Sequence, residues 1–186
     1  MEVYGPPGEE TRPHLGEGLR KGLADHSPHA ASWRGRCSEG VAAAGALTAK
    51  FGVGSWSSLV NERHAQLMLR HARVRVGREG KKLVTIVRLA SKKPWAIDVA
   101  HFTPVKRPLY LTGMAVAPTH QGQGLGRLAI EDAVRVAREW PADAVRLDAW
   151  DAEAGAGDFY LKCGFAERGR VKYKGSPLRY YEVVLA

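Results

Sequence analysis

The sequence is poor in several things that define whole classes of protein. It holds 2 cysteines, Cys37 and Cys163, in 186 residues. That is too few for a disulfide framework, and neither stands in a pair with metal-binding spacing. Long apolar runs are missing too. The longest stretch free of Asp, Glu, Lys and Arg, Pro108 to Gly126, contains Thr112, Pro118, Thr119, His120, Gln121 and several glycines, which makes it too polar to cross a bilayer. The opening Met1-Glu2-Val3-Tyr4-Gly5-Pro6-Pro7 has neither a basic start nor an apolar segment, so on pattern a signal peptide is excluded. No zinc-finger spacing or RNA-binding sheet signature occurs. These absences predict a soluble, cytoplasmic protein without a structural metal.

Apolar residues at 45% and charged residues at 25% are ordinary for one globular domain with a real core. The charge is less ordinary. A net +9 arises from 28 basic against 19 acidic residues, and it is unevenly spread. Residues 1–50 carry 6 of each sign and residues 108–186 carry 10 of each, so the excess lies in 51–107, with 12 basic and 3 acidic residues. Such a block reads as a solvated face, as a surface that attracts a polyphosphate or acidic substrate, or as a nucleic-acid contact. Its few aromatics, chiefly Trp56, Trp95 and Phe102, argue against stacking on single strands.

Residues 1–56 read as a poorly defined N-terminal extension and 57–186 as the folded domain. Within the first part, 1–40 are rich in Gly, Pro, His and charge without a sustained period, while 41–49 have a weak helical pattern interrupted by Gly45. A helix is predicted from Ser57 or Ser58 to about His71. Val84 to Leu89 reads as a strand. A turn at Ser91–Pro94 and alternation over Trp95–Phe102 predict an antiparallel hairpin partner. Leu109 to Val116 is a third, mostly apolar strand. A helix from about Gly126 to Trp140 is stopped by Pro141, Val145–Trp150 is a fourth strand, Asp158–Lys162 a short helix ended by Gly164, and Tyr180–Leu185 a last strand. The fold class is α/β with a mixed, mostly antiparallel sheet.

The most informative segment is Met114-Ala115-Val116-Ala117-Pro118-Thr119-His120-Gln121-Gly122-Gln123-Gly124-Leu125-Gly126-Arg127. An apolar strand enters a loop with glycine at every second position, and a helix starts at once. Without Cβ atoms the backbone can bring successive N–H groups to a phosphate, and the helix N-terminus adds partial positive charge. The dinucleotide fingerprint is excluded because Arg127 stands where its third glycine belongs, and no Gly-Lys-Ser/Thr follows for a P-loop.

Val116-Ala117-Pro118 followed by Gln121 to Gly126 resembles the acetyl-CoA motif of the GCN5-related N-acetyltransferases, the GNAT family. Phe159-Tyr160-Leu161-Lys162-Cys163-Gly164-Phe165 resembles that family's second signature, at the right separation. The resemblance covers about 84–186. It implies a GNAT-like fold and transfer of an acetyl group from acetyl-CoA to an amine by direct attack. It also implies that the main chain of Met114, Ala115 and Val116 pairs with pantetheine, one N–H polarising the thioester carbonyl. Gln121, Gly122, Gln123, Gly124, Leu125, Gly126 and Arg127 match the pyrophosphate cradle, and Tyr160 matches the general acid that serves the departing sulfur. Small-molecule or protein amines are the partners implied, and homodimers occur in the family.

The chain departs from the family pattern in three ways. Glu153 replaces an asparagine that contacts CoA in many members, the usual first strand is not recognisable, and the strand before the loop carries no carboxylate to act as base. Base candidates are Asp98 and His101 on the strand predicted before it, and Asp148 and Asp151 near the end of the next. Two rival readings stay open: an acyl-CoA-binding module without efficient turnover, and a basic, nucleic-acid-associated member of the fold.

Overall fold

A computed structural model describes residues 24–25, 72–80, 82–153 and 155–185. The helices predicted over 41–49 and 57–71, and the boundary at residue 56, lie outside the described residues. Among these, eight strands run in chain order: β1 (Ala24–Asp25), β2 (Ala72–Glu79), β3 (Lys82–Ala90), β4 (Pro108–Leu111), β5 (Ala115–Val116), β6 (Ala144–Trp150), β7 (Ala166–Tyr173) and β8 (Ser176–Val184). Two α-helices, α1 (Leu125–Glu139) and α2 (Gly157–Lys162), interrupt them. The sheet order is β1-β2-β3-β4-β6-β8-β7, with β5 paired to β3. Only β4 and β6 are parallel, so the sheet is mixed and mostly antiparallel as the sequence predicts.

The elements follow from their side chains. In α1, Leu125, Ala129, Ile130, Ala133, Val136 and Ala137 recur at helical spacing and are buried. The opposite face is charged, with Arg127 paired to Glu131 and Arg135 to Glu139 one turn on. The apolar stripe packs on Val87, Leu89, Leu109, Leu111, Val145 and Leu147 of the sheet, and Tyr160 and Phe165 close the same core. A second, smaller core lies among Ile97, Phe102, Tyr110 and Tyr180. Strands β3, β4, β6 and β8 thus present alternate residues to two covered faces.

Strand β2 shows how charge enters such a core. Its sequence alternates Arg73-Val74-Arg75-Val76, with Val74 and Val76 buried. Arg73 lies over the Trp140 ring at 4.6 Å. Arg75 is 5% exposed and grips Asp132 of α1 with two bonds, Nε to Oδ2 at 2.6 Å and Nη2 to Oδ1 at 3.1 Å.

Several sequence expectations change. Trp95–Phe102 is not a strand: it forms turns and a 3₁₀ turn over Val99–His101, capped by the Asp98 carboxylate on Ala100 N–H at 3.0 Å. The alternation there is broken by the sheet, which takes in Ile97 and Phe102 and leaves Trp95 87% and Val99 50% exposed. Asp98 and His101 therefore belong to a strap, residues 91–107, and not to a strand. The hairpin partner of β3 is β2. Strand β7 is an addition; its exposed, charged residues hide it, as suits an edge strand. The predicted strand Leu109–Val116 is two strands with a break at 112–114. A first strand does exist as the two-residue β1, too short to leave a pattern.

Replacing Asp132 by Ala would leave Arg75 buried without its counter-ion. The expected loss is about 3–5 kcal/mol, read as a lower urea midpoint with an unchanged slope.

Candidate active site

Between Leu111 and Ala115 the chain leaves β6. Pairing of β4 with β6 runs from Pro108↔Ala144 to Tyr110↔Arg146 and stops. Gly113 then takes φ +69°, a left-handed conformation that favours glycine, and β5 continues only against β3. Thr112 N–H still donates to the Arg88 carbonyl at 2.7 Å, and Ala117 N–H to the Val84 carbonyl at 2.8 Å. Since backbone groups alternate along a strand, Ala117 and Ala115 face β3, while Val116 turns its N–H and C=O toward the gap. Its carbonyl there accepts from Gln121 Nε2 at 3.2 Å.

The gap opens into a cavity of about 580 Å³ lined by Met114, Ala115, Val116, His120, Gln121, Gly122, Gly124, Gly126, Arg127, Ala156, Phe159, Tyr160, Lys162 and Cys163. Most residues matched to the cradle are thus brought together with Tyr160. Two are not on the wall: Leu125 is a buried core residue, and Gln123 bonds back to the Thr119 carbonyl at 3.2 Å. Gly122 and Gly124 have φ +75° and +80°, with open space where a Cβ would stand, so bare backbone faces the cavity just before the free N–H groups of α1. At Gly126 the need is packing, since a Cβ would sit 3.2 Å from the Phe159 ring. Phe159, Lys162 and Cys163 were not singled out by sequence as wall residues. His120, also on the wall, is 18% exposed and bonds Glu79 Oε2 through Nε2 at 3.1 Å.

Tyr160 is 7% exposed, held between Phe159 and Phe165 and beside Tyr181 at ring distances of 5.3, 5.9 and 5.8 Å. Burial, reinforced by the Asp148 charge, pushes its phenol above the ordinary tyrosine value. Burial also raises the Cys163 thiol, which favours the protonated form and not a nucleophilic thiolate. Glu153 is exposed and does not line the cavity.

The four base candidates fall into different surroundings. Asp151 is tied to Arg179, with Nε at 3.0 Å, and to Arg170 at 3.5 Å. Asp98 is the strap's cap, and His101 is exposed, its ring edge-on to Tyr180 at 5.4 Å. Asp148 differs. It is partly buried at the end of β6, opposite Tyr180, and burial pushes its carboxyl above the usual range. Its charge raises both Tyr160 and Tyr180, although Asp148 is not among the residues that line the cavity.

The strap is fixed over this face by polar anchors. Tyr180 donates its hydroxyl proton to the Ala96 carbonyl and accepts from Asp98 N–H at 3.1 Å. Fully buried Glu182 accepts from Thr103 N–H at 3.1 Å and from Arg146 Nε at 2.9 Å, with Arg168 a further 2.9 Å ion pair. Burial alone would raise the Glu182 carboxyl, but these partners bring it below the usual range. The described residues of the basic block take separate partners. Arg73 and Arg75 point toward α1, Arg107 pairs with Asp143 at 2.9 Å, and Lys93 bonds the Ile97 carbonyl at 2.7 Å. Among the described residues no helix is long and apolar enough to cross a membrane, and no group of three or more His, Cys, Asp or Glu could hold a metal.

A strand that parts from its neighbour, a glycine loop and a helix N-terminus on one wall, and a buried tyrosine opposite, meet in one cleft of a fold shared with acetyltransferases. The model of the acetyltransferase (GNAT) family matches residues 53–165, and the chain belongs to that family. No curated protein sequence matches. Solved structures do. An acetyltransferase of the GNAT family from Listeria monocytogenes is 16% identical with a TM-score of 0.67, covering 88% of this chain and 95% of that one. Ribosomal-protein-alanine N-acetyltransferase from Brucella melitensis is 19% identical with a TM-score of 0.65, covering 88% and 100%. A Bacillus subtilis acetyltransferase solved in complex with CoA is 16% identical with a TM-score of 0.53, covering 68% and 85%.

The raised Asp148 carboxyl has a consequence for stability. A group whose folded pKa lies above its unfolded value opposes folding once both states are ionised, and does not when both are protonated. Asp148→Asn is therefore expected to raise the melting temperature at pH 7, with the gain shrinking as pH falls toward the ordinary aspartate value of 3.8. Melting curves across that range check the sign.

Proposed function

We propose that the protein transfers an acetyl group from acetyl-CoA to a primary amine, with both substrates bound at once. The observation that carries this reading is the cleft that joins the glycine cradle, the outward-facing backbone at Val116 and Tyr160, with the Asp148 charge felt at the phenol. The cradle at Gln121–Arg127 fits a pyrophosphate because its backbone is bare and the α1 N-terminus adjoins it. Arg127 and Lys162 add positive charge to the wall. When bound, the cosubstrate supplies an acetyl group already activated as a thioester.

The protein's own groups then have distinct tasks. Val116 N–H points into the gap and serves the carbonyl oxygen as it gains charge. Asp148, a stronger base than an exposed aspartate, takes the surplus proton of the amine nitrogen as the N–C bond forms. The C–S bond breaks, and Tyr160 donates to the sulfur. A phenol held so firmly protonated acts first as a hydrogen-bond donor, and full transfer follows only because the buried sulfur anion is itself poorly solvated. Positioning the amine against the thioester supplies the remaining rate. Protein N-termini, lysines, aminoglycosides, polyamines and small metabolites are the amine classes to screen, and the name of the Brucella structure puts protein N-terminal alanine among them.

The test combines calorimetry and turnover. Acetyl-CoA is expected to bind in the micromolar range, more weakly when CoA lacks its 3′-phosphate. Tyr160→Phe is expected to leave that affinity nearly intact and lower kcat well beyond tenfold; an unchanged kcat would remove Tyr160 from the mechanism. Asp148→Asn should lower kcat similarly and abolish the acidic limb of the pH profile. Binding without turnover on any amine would instead favour an acyl-CoA-binding module.

A further inference from the structure

On the sheet face turned away from α1, four polar residues stand in one row across four strands. Tyr110 is the register partner both of Ala90 on β3 and of Arg146 on β6, so two residues further along, Arg88, Thr112 and Asp148 lie level. Asp148 is in turn the partner of Tyr180 on β8. The row crosses the sheet where β4 ends and the gap to β6 begins, beside the position proposed above for acetyl transfer. A guanidinium stands at one end of it, and a carboxylate faces it from β6, beyond Thr112.

Arg88 is the unusual member. It is partly buried beside Val74, its partner on β2, and its guanidinium pKa is lowered by burial alone. Its Nε donates to Thr112 Oγ1 at 2.7 Å, which turns the guanidinium along the row toward β6. Among the described residues no carboxylate pairs with it, although Arg75, Arg107, Arg146 and Arg179 each have one. Asp148 does not neutralise it either, since burial is what dominates the Asp148 carboxyl and no cation lowers it. A half-buried cation without an anion is costly, and a guanidinium presents a fork of donors that suits a carboxylate in bidentate geometry.

We propose that Arg88 is the anchor for an anionic group on the acceptor, a carboxylate close to the amine that is acetylated. With paired strands about 4.8 Å apart and the seam opening beyond Tyr110, Arg88 and Asp148 are about 10 Å or more apart at the backbone. That span matches a compact molecule with an ammonium at the Asp148 side and a carboxylate at the Arg88 side, where the bond to Thr112 draws the guanidinium inward. Arg88 and Asp148 thus match the two charges of an amino-acid-like acceptor. Amines without the anion leave Arg88 unsatisfied, and that is the basis of the discrimination.

This inference rests on the acetyl-transfer reading and is tested separately from it. Free L-amino acids, their carboxamides and the corresponding decarboxylated amines are offered as acceptors, with acetyl-CoA, to the wild type, Arg88→Gln and Arg88→Lys. The wild type is expected to favour the carboxylate-bearing member of each set by at least tenfold in kcat/KM. Arg88→Gln should raise KM for that member by about tenfold or more, leave kcat within a few-fold, and leave both the neutral members and acetyl-CoA affinity unchanged. Arg88→Lys should recover part of the loss, since it keeps the charge and loses the fork. Turnover of neutral amines at equal or higher efficiency would overturn the Arg88 assignment and leave acetyl transfer standing. So would an equal loss on all members in Arg88→Gln with its melting temperature unchanged. Acetyl-CoA binding without turnover of any member would overturn both.

Discussion

Two neighbouring strands cannot remain paired when one of them is made to turn away, and at Gly113 one does. The left-handed residue ends the contact of β4 with β6 after three register pairs and sends β5 on along β3 alone. A backbone edge inside the sheet is thereby left to find other partners, which a folded protein supplies only where something binds. The cavity and the outward carbonyl of Val116 both follow from that parting. So does the position of the glycine loop, because α1 must begin where β5 stops and lie back across both halves of the sheet.

Around the gap the two faces are built for different purposes. Toward α1 the packing is apolar, and the one internal charge pair there, Arg75 with Asp132, ties helix to sheet. Away from α1, buried polar groups take over: Arg146 and Glu182 hold Thr103, Tyr180 holds Ala96 and Asp98, and Arg88 holds Thr112. Such groups are poor sources of net stability when buried, but they fix where a strap can lie. Gly169 completes this arrangement, since a Cβ on it would come within 2.6 Å of His101 Nδ1 and push the strap outward.

The parts legible in the sequence are those governed by local chemistry. The glycine loop, the stripe of α1, the apolar run of β6 and the Tyr160 segment each carry their signal within a dozen residues. Strand β2 was hidden although its alternation is strict, because arginine occupies the positions that would normally read as solvent-facing, and here they are covered by Trp140 and Asp132. The strap misled in the opposite sense: Trp95, Ile97, Val99 and His101 alternate, yet only Ile97 meets the core. Among the base candidates the sequence offered three carboxylates and one imidazole and assigned none of them. What separates Asp148 from Asp151 is that Asp151 is paired with Arg179 and Arg170, a fact of register between strands distant in the chain, while Asp98 and His101 are set apart by the exposed strap that carries them. The level row from Arg88 to Tyr180 was equally out of reach, since it needs three strand pairings at once.

The single parallel pairing has a mechanical meaning. As far as the sheet is concerned, the described protein is two antiparallel ribbons, one made of β1 to β5 and the other of β6, β8 and β7, joined along a seam of three register pairs from Pro108↔Ala144 to Tyr110↔Arg146. Beyond Tyr110 the seam is open, and a molecule lodged there touches the Val116 edge of one ribbon and the Tyr160 segment, which follows β6, on the other. It completes the join as a missing strand would. Occupancy of the cleft and cohesion between the ribbons are then a single free energy seen from two sides, and whatever loosens the seam weakens the grip of the cleft by the same amount.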